Sequence, residues 1–359
     1  MKIYHVISNK VWGGGEQYVL DLCRHLIDDG HDVELFCRPC PPVLSRLTTL
    51  DVPVHEMKLR GACDVISAMQ MAKVIGKEEC VVHVHNFKDA FTVWYACQMA
   101  GNRRAKLIVT RHLVRRGKTS WLYRQLYRHI HHIVFVSDLA RREFLSSHPL
   151  ISEEKLSVIH NSIALQPLKQ VERLRETLSI PPQAVLAMYH GRLAAEKGLE
   201  TLIDALGKAH VEAVHLVLIG NGEEAYVNRL KEKIAENGLK DQVHFMGFKS
   251  DVLSYIPQSD FGILPSIVRE ACPLSCMEYM SQGKCVIATN NGGQSEYVEK
   301  GVNGILIPPA DADALAAALT QLTQDKELRE ALGQKAQEYF SSTLSYEQFY
   351  ARILAIYHQ

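Results

Sequence analysis

The chain has 359 residues, 47% of them hydrophobic and 22% charged, with a formal net charge of zero at pH 7. This is the balance of an ordinary soluble globular protein, long enough for two domains with a core each, and no apolar run approaches the ~20 residues of a membrane span. Nine scattered cysteines, an odd number, point to reduced thiols in a cytoplasm. The opening MKIYHVIS runs straight into a strand pattern, without the basic n-region and long h-region of a signal peptide, so no leader is expected.

The first half alternates strand and helix. Strands are expected at 3–8, 32–37, 81–85, 107–110, 133–136 and 156–159. Helices are expected at 16–28, 65–75, 90–99, 120–129 and 138–146. Short connections between such elements imply a parallel sheet wrapped by helices on both faces. The first strand leads through Gly13, Gly14 and Gly15 to Glu16 and a helix; such glycines serve either a tight turn or close backbone approach to an anion. Cys37 and Cys40 match C-x-x-C but end a strand, with no second pair for zinc, so neither metal nor redox work is expected of them. His83 and His85 point to one face of a strand, with no third ligand evident, and read as core or rim histidines. Between residues 101 and 142, eleven Lys/Arg stand against one acid, Asp138. That excess suits a solvated face or an anionic partner such as a membrane surface.

Charged residues 169–178 and Pro181-Pro182 suggest a linker, after which a second α/β series begins at Val185. Strands are expected at 185–189, 215–219, 243–246, 261–264 and 285–289, with a final helix at 346–358. Arg192 and Lys197 follow the first of these strands, and in isolation they read as surface cations. Asp311-Ala-Asp313 precedes an Ala/Leu helix and reads as a cap rather than a metal motif.

The most informative stretch is 265–298, PSIVREACPLSCMEYMSQGKCVIATNNGGQSEYV. A strand ends near Leu264, a loop carries Glu270, and a helix is expected over 273–281, stopped by Gly283. In a parallel sheet this is where an anion settles. Glu270 and Glu278 stand eight positions apart, about 12 Å along a helix axis. A retaining hydrolase needs its carboxylates roughly 5–5.5 Å apart, so two contacts to one long ligand suit this pair better.

The ordered spacing S-x3-E-x-C-P-L-x3-E, with V-I-A-T and G-G-x2-E behind it, resembles the donor-site segment of glycosyltransferase family four, retaining enzymes of the GT-B fold. Further motifs agree: G-R-x4-K-G at Gly191, Arg192, Lys197 and Gly198; T-x-H at Thr110–His112; V-I-x-N at Val158–Asn161, with Ser162 replacing the usual Gly. G-x-G at Gly220–Gly222 and Gly247-Phe248 with Asp251, like the family's F-x-G-x3-D, complete the series. The resemblance implies two Rossmann-like, doubly wound domains facing across a cleft. One spans 1–164, with 344–359 packing back on it; the other, the donor domain, spans 165–343.

The resemblance also implies roles. Arg192 and Lys197 neutralise the donor diphosphate, Glu270 binds sugar hydroxyls, and the N–H groups of Cys272, Pro273 and Leu274 (Pro273 itself having none) face the diphosphate. Glu278 takes the ribose hydroxyls; Gly191, Gly222 and Phe248 border the nucleoside. Gly13, Gly14 and Gly15 face the diphosphate and acceptor, with less weight on Glu16, and His112 orients the reacting sugar. Family members often follow this histidine with Asp or Gly; here Leu113 stands instead.

The expected activity is retaining transfer from a nucleotide-diphosphate sugar, UDP-linked, to a saccharide or lipid-linked acceptor in cell-surface polysaccharide or glycolipid synthesis. With two cations as clamps, no divalent metal or other cofactor is expected. The expected location is the cytoplasm, with the 101–142 stretch touching the inner membrane face. The competing readings are another GT-B activity, such as sugar-nucleotide epimerisation, and a non-catalytic nucleotide- or nucleic-acid-binding protein. Only Trp121, Tyr123, Tyr127 and Phe135 interleave the basic residues, so no nucleic acid is expected.

Overall fold

A computed structural model describes residues 1–209, 211 and 213–359. The backbone divides into two units: Met1–Ala164 with Tyr346–Gln359, and Leu165–Ser345. The first unit holds β1 (Lys2–Ile7), β2 (Asp32–Cys37), β3 (Val54–Glu56), β4 (Cys80–Val84), β5 (Ala105–Arg111), β6 (Ile130–Phe135) and β7 (Leu156–Val158). They form one parallel sheet in the order β3-β2-β1-β4-β5-β6-β7. Strand β4 is buried at all its positions because helices cover both faces, which is why it reads as a continuous apolar run.

Two elements of this unit escape the sequence pattern: the Pro41–Leu47 helix and the three-residue β3. Pro41 and Pro42 look like a break, yet at the first helical positions their missing N–H groups cost nothing. Cys40 is thus an N-cap, so the C-x-x-C segment does open a helix, contrary to expectation. It does so with the second cysteine, and burial pushes the Cys37 thiol up to about 12, away from redox reactivity. All nine cysteines are free thiols. The Tyr346–His358 helix buries Phe349, Ile353, Ile356 and Tyr357 against Ile3, Ile7, Leu22 and Val134.

The second unit holds β8 (Val185–His190), β9 (Val214–Ile219), β10 (Val243–Gly247), β11 (Phe261–Leu264), β12 (Val286–Thr289) and β13 (Ile305–Ile307). Its sheet is also parallel, in the order β10-β9-β8-β11-β12-β13. Each sheet grows first to one side and then to the other, so each has a switch point, β1/β4 in one and β8/β11 in the other. Loops leaving the carboxyl ends of the strands diverge there and leave a crevice for a ligand. Gly262 on β11 has no room for a Cβ, which would meet the Tyr279 ring at 2.2 Å, so the Leu274–Ser281 helix lies hard against that strand.

The basic stretch is not one solvated face. Arg111 is largely buried between the rings of Phe87 and Phe144, 5.0 and 4.8 Å from its guanidinium carbon, and burial lowers its pKa to about 10. Lys106 bonds the Tyr357 carbonyl at 3.1 Å, and Arg141 and Arg142 pair with Glu153 and Asp138. Arg103, Arg104, Arg115, Arg116, Lys118, Arg124 and Arg128 form the exposed remainder.

Candidate active site

In the second unit the predicted donor-binding residues lie in the loops after β8, β9, β10 and β11, except Leu274 and Glu278, which lie on the Leu274–Ser281 helix. Residues 191–198 follow β8 and 265–273 follow β11, so Lys197 and Glu270 meet across the switch point, with Lys197 Nζ 2.5 Å from Glu270 Oε1. Seventy-three positions separate these two residues in sequence. Ser266 Oγ donates to the same carboxylate oxygen at 2.7 Å, which fixes the rotamer. The Glu270 carbonyl accepts the Gly293 N–H at 2.8 Å, and a Cβ on Gly292 would lie 2.8 Å from that oxygen. The G-G-x2-E segment therefore holds the Glu270 backbone.

Arg192 is exposed and paired with Glu196 at 2.5 Å, on the turn that carries Lys197. That turn is stapled to the β11 loop: the Ile267 N–H donates to the Glu196 carbonyl at 3.0 Å. A Cβ on Gly198, whose φ is +72°, would sit 2.0 Å from the Pro265 carbonyl oxygen. Gly220 meets the Gly191 carbonyl and Gly222 the Leu193 carbonyl just as closely, at 1.9 and 2.2 Å from an added Cβ. The glycines at 198, 220 and 222 are thus needed for backbone-on-backbone contact between loops, whereas a Cβ on Gly191 would meet the Tyr189 hydroxyl at 3.0 Å.

The Leu274–Ser281 helix begins beside Glu270. Pro273 is its N-cap and supplies no side-chain acceptor, so its first N–H groups and dipole are presented next to Cys272 and Pro273, as anion binding needs. Glu278, about one turn along, accepts a bond from His190 Nε2 at 2.5 Å, and His190 Nδ1 meets the Tyr279 hydroxyl at 2.9 Å. Buried His190 is a positioning group that the sequence reading passed over, although it sits at the end of β8 beside Gly191. Phe248, after β10, is 55% exposed. Asp311 accepts the Ala314 N–H at 2.9 Å, an N-cap as expected.

In the first unit the Gly14–Asp28 helix starts directly at the glycine loop, with Gly13 as an extended N-cap. Glu16 is buried and bonded to Asn9, so a carboxylate already occupies the first turn. Gly15 adjoins the His112 ring, 3.9 Å from where its Cβ would be. His112, just past β5, packs edge-on against Tyr18 and lies 3.5 Å from His85 across their ring nitrogens. Burial lowers the His112 pKa to about 4, leaving it a neutral imidazole that can orient a hydroxyl.

His83 and His85 do have a third histidine beside them. His5 pairs with His83 in the β1–β4 register, and one nitrogen from each of the three rings lies within 4.8 Å of the others. No spacing rule finds His5, because strand pairing places it there.

Paired parallel-sheet units with switch-point loops of this chemistry define a protein of the GT-B class. A crystal structure of Anabaena Alr3699/HepE in complex with UDP superposes with a TM-score of 0.86 at 21% identity, covering 99% of each chain. Residues 12–166 match Glycosyltransferase Family 4, and residues 170–339 match Glycosyl transferases group 1. The chain belongs to glycosyltransferase family four. The lipopolysaccharide core biosynthesis glycosyltransferase LpsE of Rhizobium meliloti is 28% identical over 186 residues, 52% of this chain and 53% of LpsE. The chain thus spans about half the length of that relative. N-acetyl-alpha-D-glucosaminyl L-malate synthase of Bacillus anthracis is 24% identical over 94% of this chain and 90% of its own.

Proposed function

We propose that the chain is a retaining, metal-independent glycosyltransferase that uses a nucleotide-diphosphate sugar, UDP-linked. The observation that carries this reading is the Lys197–Glu270 pair at the β8/β11 switch point, with Arg192 on the same turn and the Leu274–Ser281 helix N-terminus beside it. A leaving diphosphate needs cations and aligned N–H donors, and the second unit supplies both. Binding would draw Lys197 and Arg192 from Glu270 and Glu196 to the phosphate oxygens, freeing Glu270 for sugar hydroxyls. Glu278, held by His190, suits the paired hydroxyls of a ribose. In the reaction the C1–O bond to the diphosphate breaks, an acceptor oxygen bonds C1 on the same face, and its proton passes to the departing phosphate oxygen. His112 orients the sugar.

The UDP complex of HepE and the saccharide-assembling role in the name LpsE support a UDP-sugar donor and a saccharide or lipid-linked acceptor in cell-surface polysaccharide synthesis. Free thiols favour a reducing, cytoplasmic setting. Exposed Leu113 and Trp121 among Arg115, Arg116, Lys118 and Arg124 suit a peripheral contact with anionic lipid. Among the described residues no helix is long and apolar enough to cross a membrane. Thermal shift with UDP, GDP, ADP and their sugar conjugates, with and without EDTA, tests the donor site. A ligand at about 100 times its Kd stabilises by roughly 2.7 kcal/mol, so selective, EDTA-insensitive stabilisation by UDP compounds is the expected result. No response to any nucleotide would turn the reading towards a non-catalytic GT-B protein.

A further inference from the structure

We propose that His5, His83 and His85 in the first unit bind a first-row divalent cation of the zinc, cobalt and nickel class. This goes beyond the transfer reaction, whose proposed phosphate clamps all lie in the second unit, and it stands or falls separately from it.

Three observations carry it. The first is spacing. A tetrahedral ion with Zn–N bonds of about 2.0–2.1 Å holds imidazole ring centres roughly 5 Å apart. Here the centres are 5.3 Å apart for His5–His83, 5.3 Å for His5–His85 and 4.3 Å for His83–His85. Ligand nitrogens on such an ion stand about 3.3 Å apart, and here they already lie within 4.8 Å of one another.

The second is an unmet valence. His5 is fully buried, its Nδ1 lies 2.9 Å from His85 Nε2, and its Nε2 has no hydrogen-bond partner. A buried polar nitrogen without a partner is rare and costly. An ion between the rings supplies one.

The third is support behind the ligands. Metal-bound imidazoles keep their second nitrogen on a fixed partner. His83 has hydroxyls on both sides, Tyr357 at 2.6 Å and Thr110 at 2.7 Å, so one remains whichever nitrogen turns to the ion. His85 faces His112 with its other nitrogen, at 3.5 Å. His112, half-buried, borders the cluster. Three neutral nitrogens with no carboxylate or thiolate in the set favour zinc, cobalt or nickel over magnesium or calcium. Carried on adjacent strands at the β1/β4 switch point, such an ion would fix the His85 tautomer that meets His112.

The test uses the full chain with any affinity tag removed, stripped by chelator and titrated with Co(II), then with Zn(II) in competition. One equivalent of Co(II) with the visible bands of four-coordinate cobalt is expected, displaced by zinc. X-ray absorption of the zinc form should count three imidazole nitrogens at about 2.0 Å. His5→Phe and His85→Gln should each weaken binding at least tenfold. His215→Gln, at the separate His215–His244 pair, should leave it unchanged. No saturable uptake by folded wild type at millimolar Co(II), or an absorption spectrum without three imidazoles, overturns the proposal even where a variant fails to fold. Unaltered binding in folded His5→Phe also overturns it.

Discussion

Replacing Lys197 by Met removes one cation while keeping an unbranched, apolar stem. Lys197 Nζ lies 2.5 Å from Glu270 Oε1, and the two side chains are only 21% and 19% exposed. The substitution leaves Glu270 with the Ser266 hydroxyl as its side-chain partner. Two effects must then be separated. The uncompensated carboxylate should cost about 1–3 kcal/mol of stability, which Glu270→Gln in the same chain should largely restore. Loss of charge on the leaving group is different: a unit charge about 4 Å from a phosphate oxygen contributes about 1 kcal/mol in water and about 4 kcal/mol at an effective dielectric of 20. That brackets the 10²–10³-fold fall in kcat, about 2.7–4 kcal/mol, expected when one stabilising group at a developing oxyanion is lost. Initial rates at saturating donor should therefore drop by about 10²–10³ in the single variant and at least as far in the double variant, while only the single variant melts early. An unchanged kcat with a raised KM would mean that Lys197 binds ground and transition states alike, and the assigned role would be wrong.

Arg192→Ala should lower kcat by a similar 10²–10³, since its partner Glu196 is on the same exposed turn and no buried charge is stranded; a stability loss without a rate loss would contradict this. Gly198→Ala forces a Cβ to 2.0 Å from the Pro265 carbonyl at φ +72° and should cost about 2–3 kcal/mol by denaturant unfolding, with donor binding lost; a wild-type midpoint refutes it. His190→Gln should weaken donor binding about tenfold or more by releasing Glu278, and the loss should shrink for a 2′-deoxyribose donor. Acid should weaken the first unit. Burial lowers His5 to about 3 and His112 to about 4, so below the unfolded value of about 6.5 the unfolded chain binds protons that the native fold refuses. Stability is then full above pH 6.5 and falls as pH drops towards those values, by up to about 1.4 kcal/mol per pH unit per histidine; urea midpoints equal at pH 7.5 and 5 would refute it.

What could be read from sequence follows from what is local. Strands such as β2 and helices such as Val65–Ile75 carry their periodicity in adjacent residues, and their bounds coincide with expectation. The Pro41–Leu47 helix was hidden because two prolines signal a break unless their position in the first turn is known. At the proposed donor site, motif order supplied the candidates Arg192, Lys197, Glu270 and Glu278. The supports came from tertiary pairing: Ser266 on the Glu270 oxygen, Gly293 on its carbonyl, His190 on Glu278. His5 joins His83 and His85 through strand register alone, across 78 positions that include three α-helices and two further strands. Arg111 shows the converse error, since charge counting cannot tell a guanidinium stacked on two rings from one in water.

The first unit is discontinuous, and this orders events during synthesis. Its sheet is translated before residue 165, yet Phe349, Ile353, Ile356 and Tyr357 emerge only after the entire second unit. The contiguous second unit can therefore close before the first one does. Until residues 346–358 leave the ribosome, β1 and β4 lack the cover of that helix, and His83 waits for the Tyr357 hydroxyl. A ribosome that stops short of residue 346 releases a chain with one finished unit and one sticky sheet. Quality control can thus read a truncation near residue 346 from the far end of the chain: the first-made sheet reports whether the 346–358 helix was made.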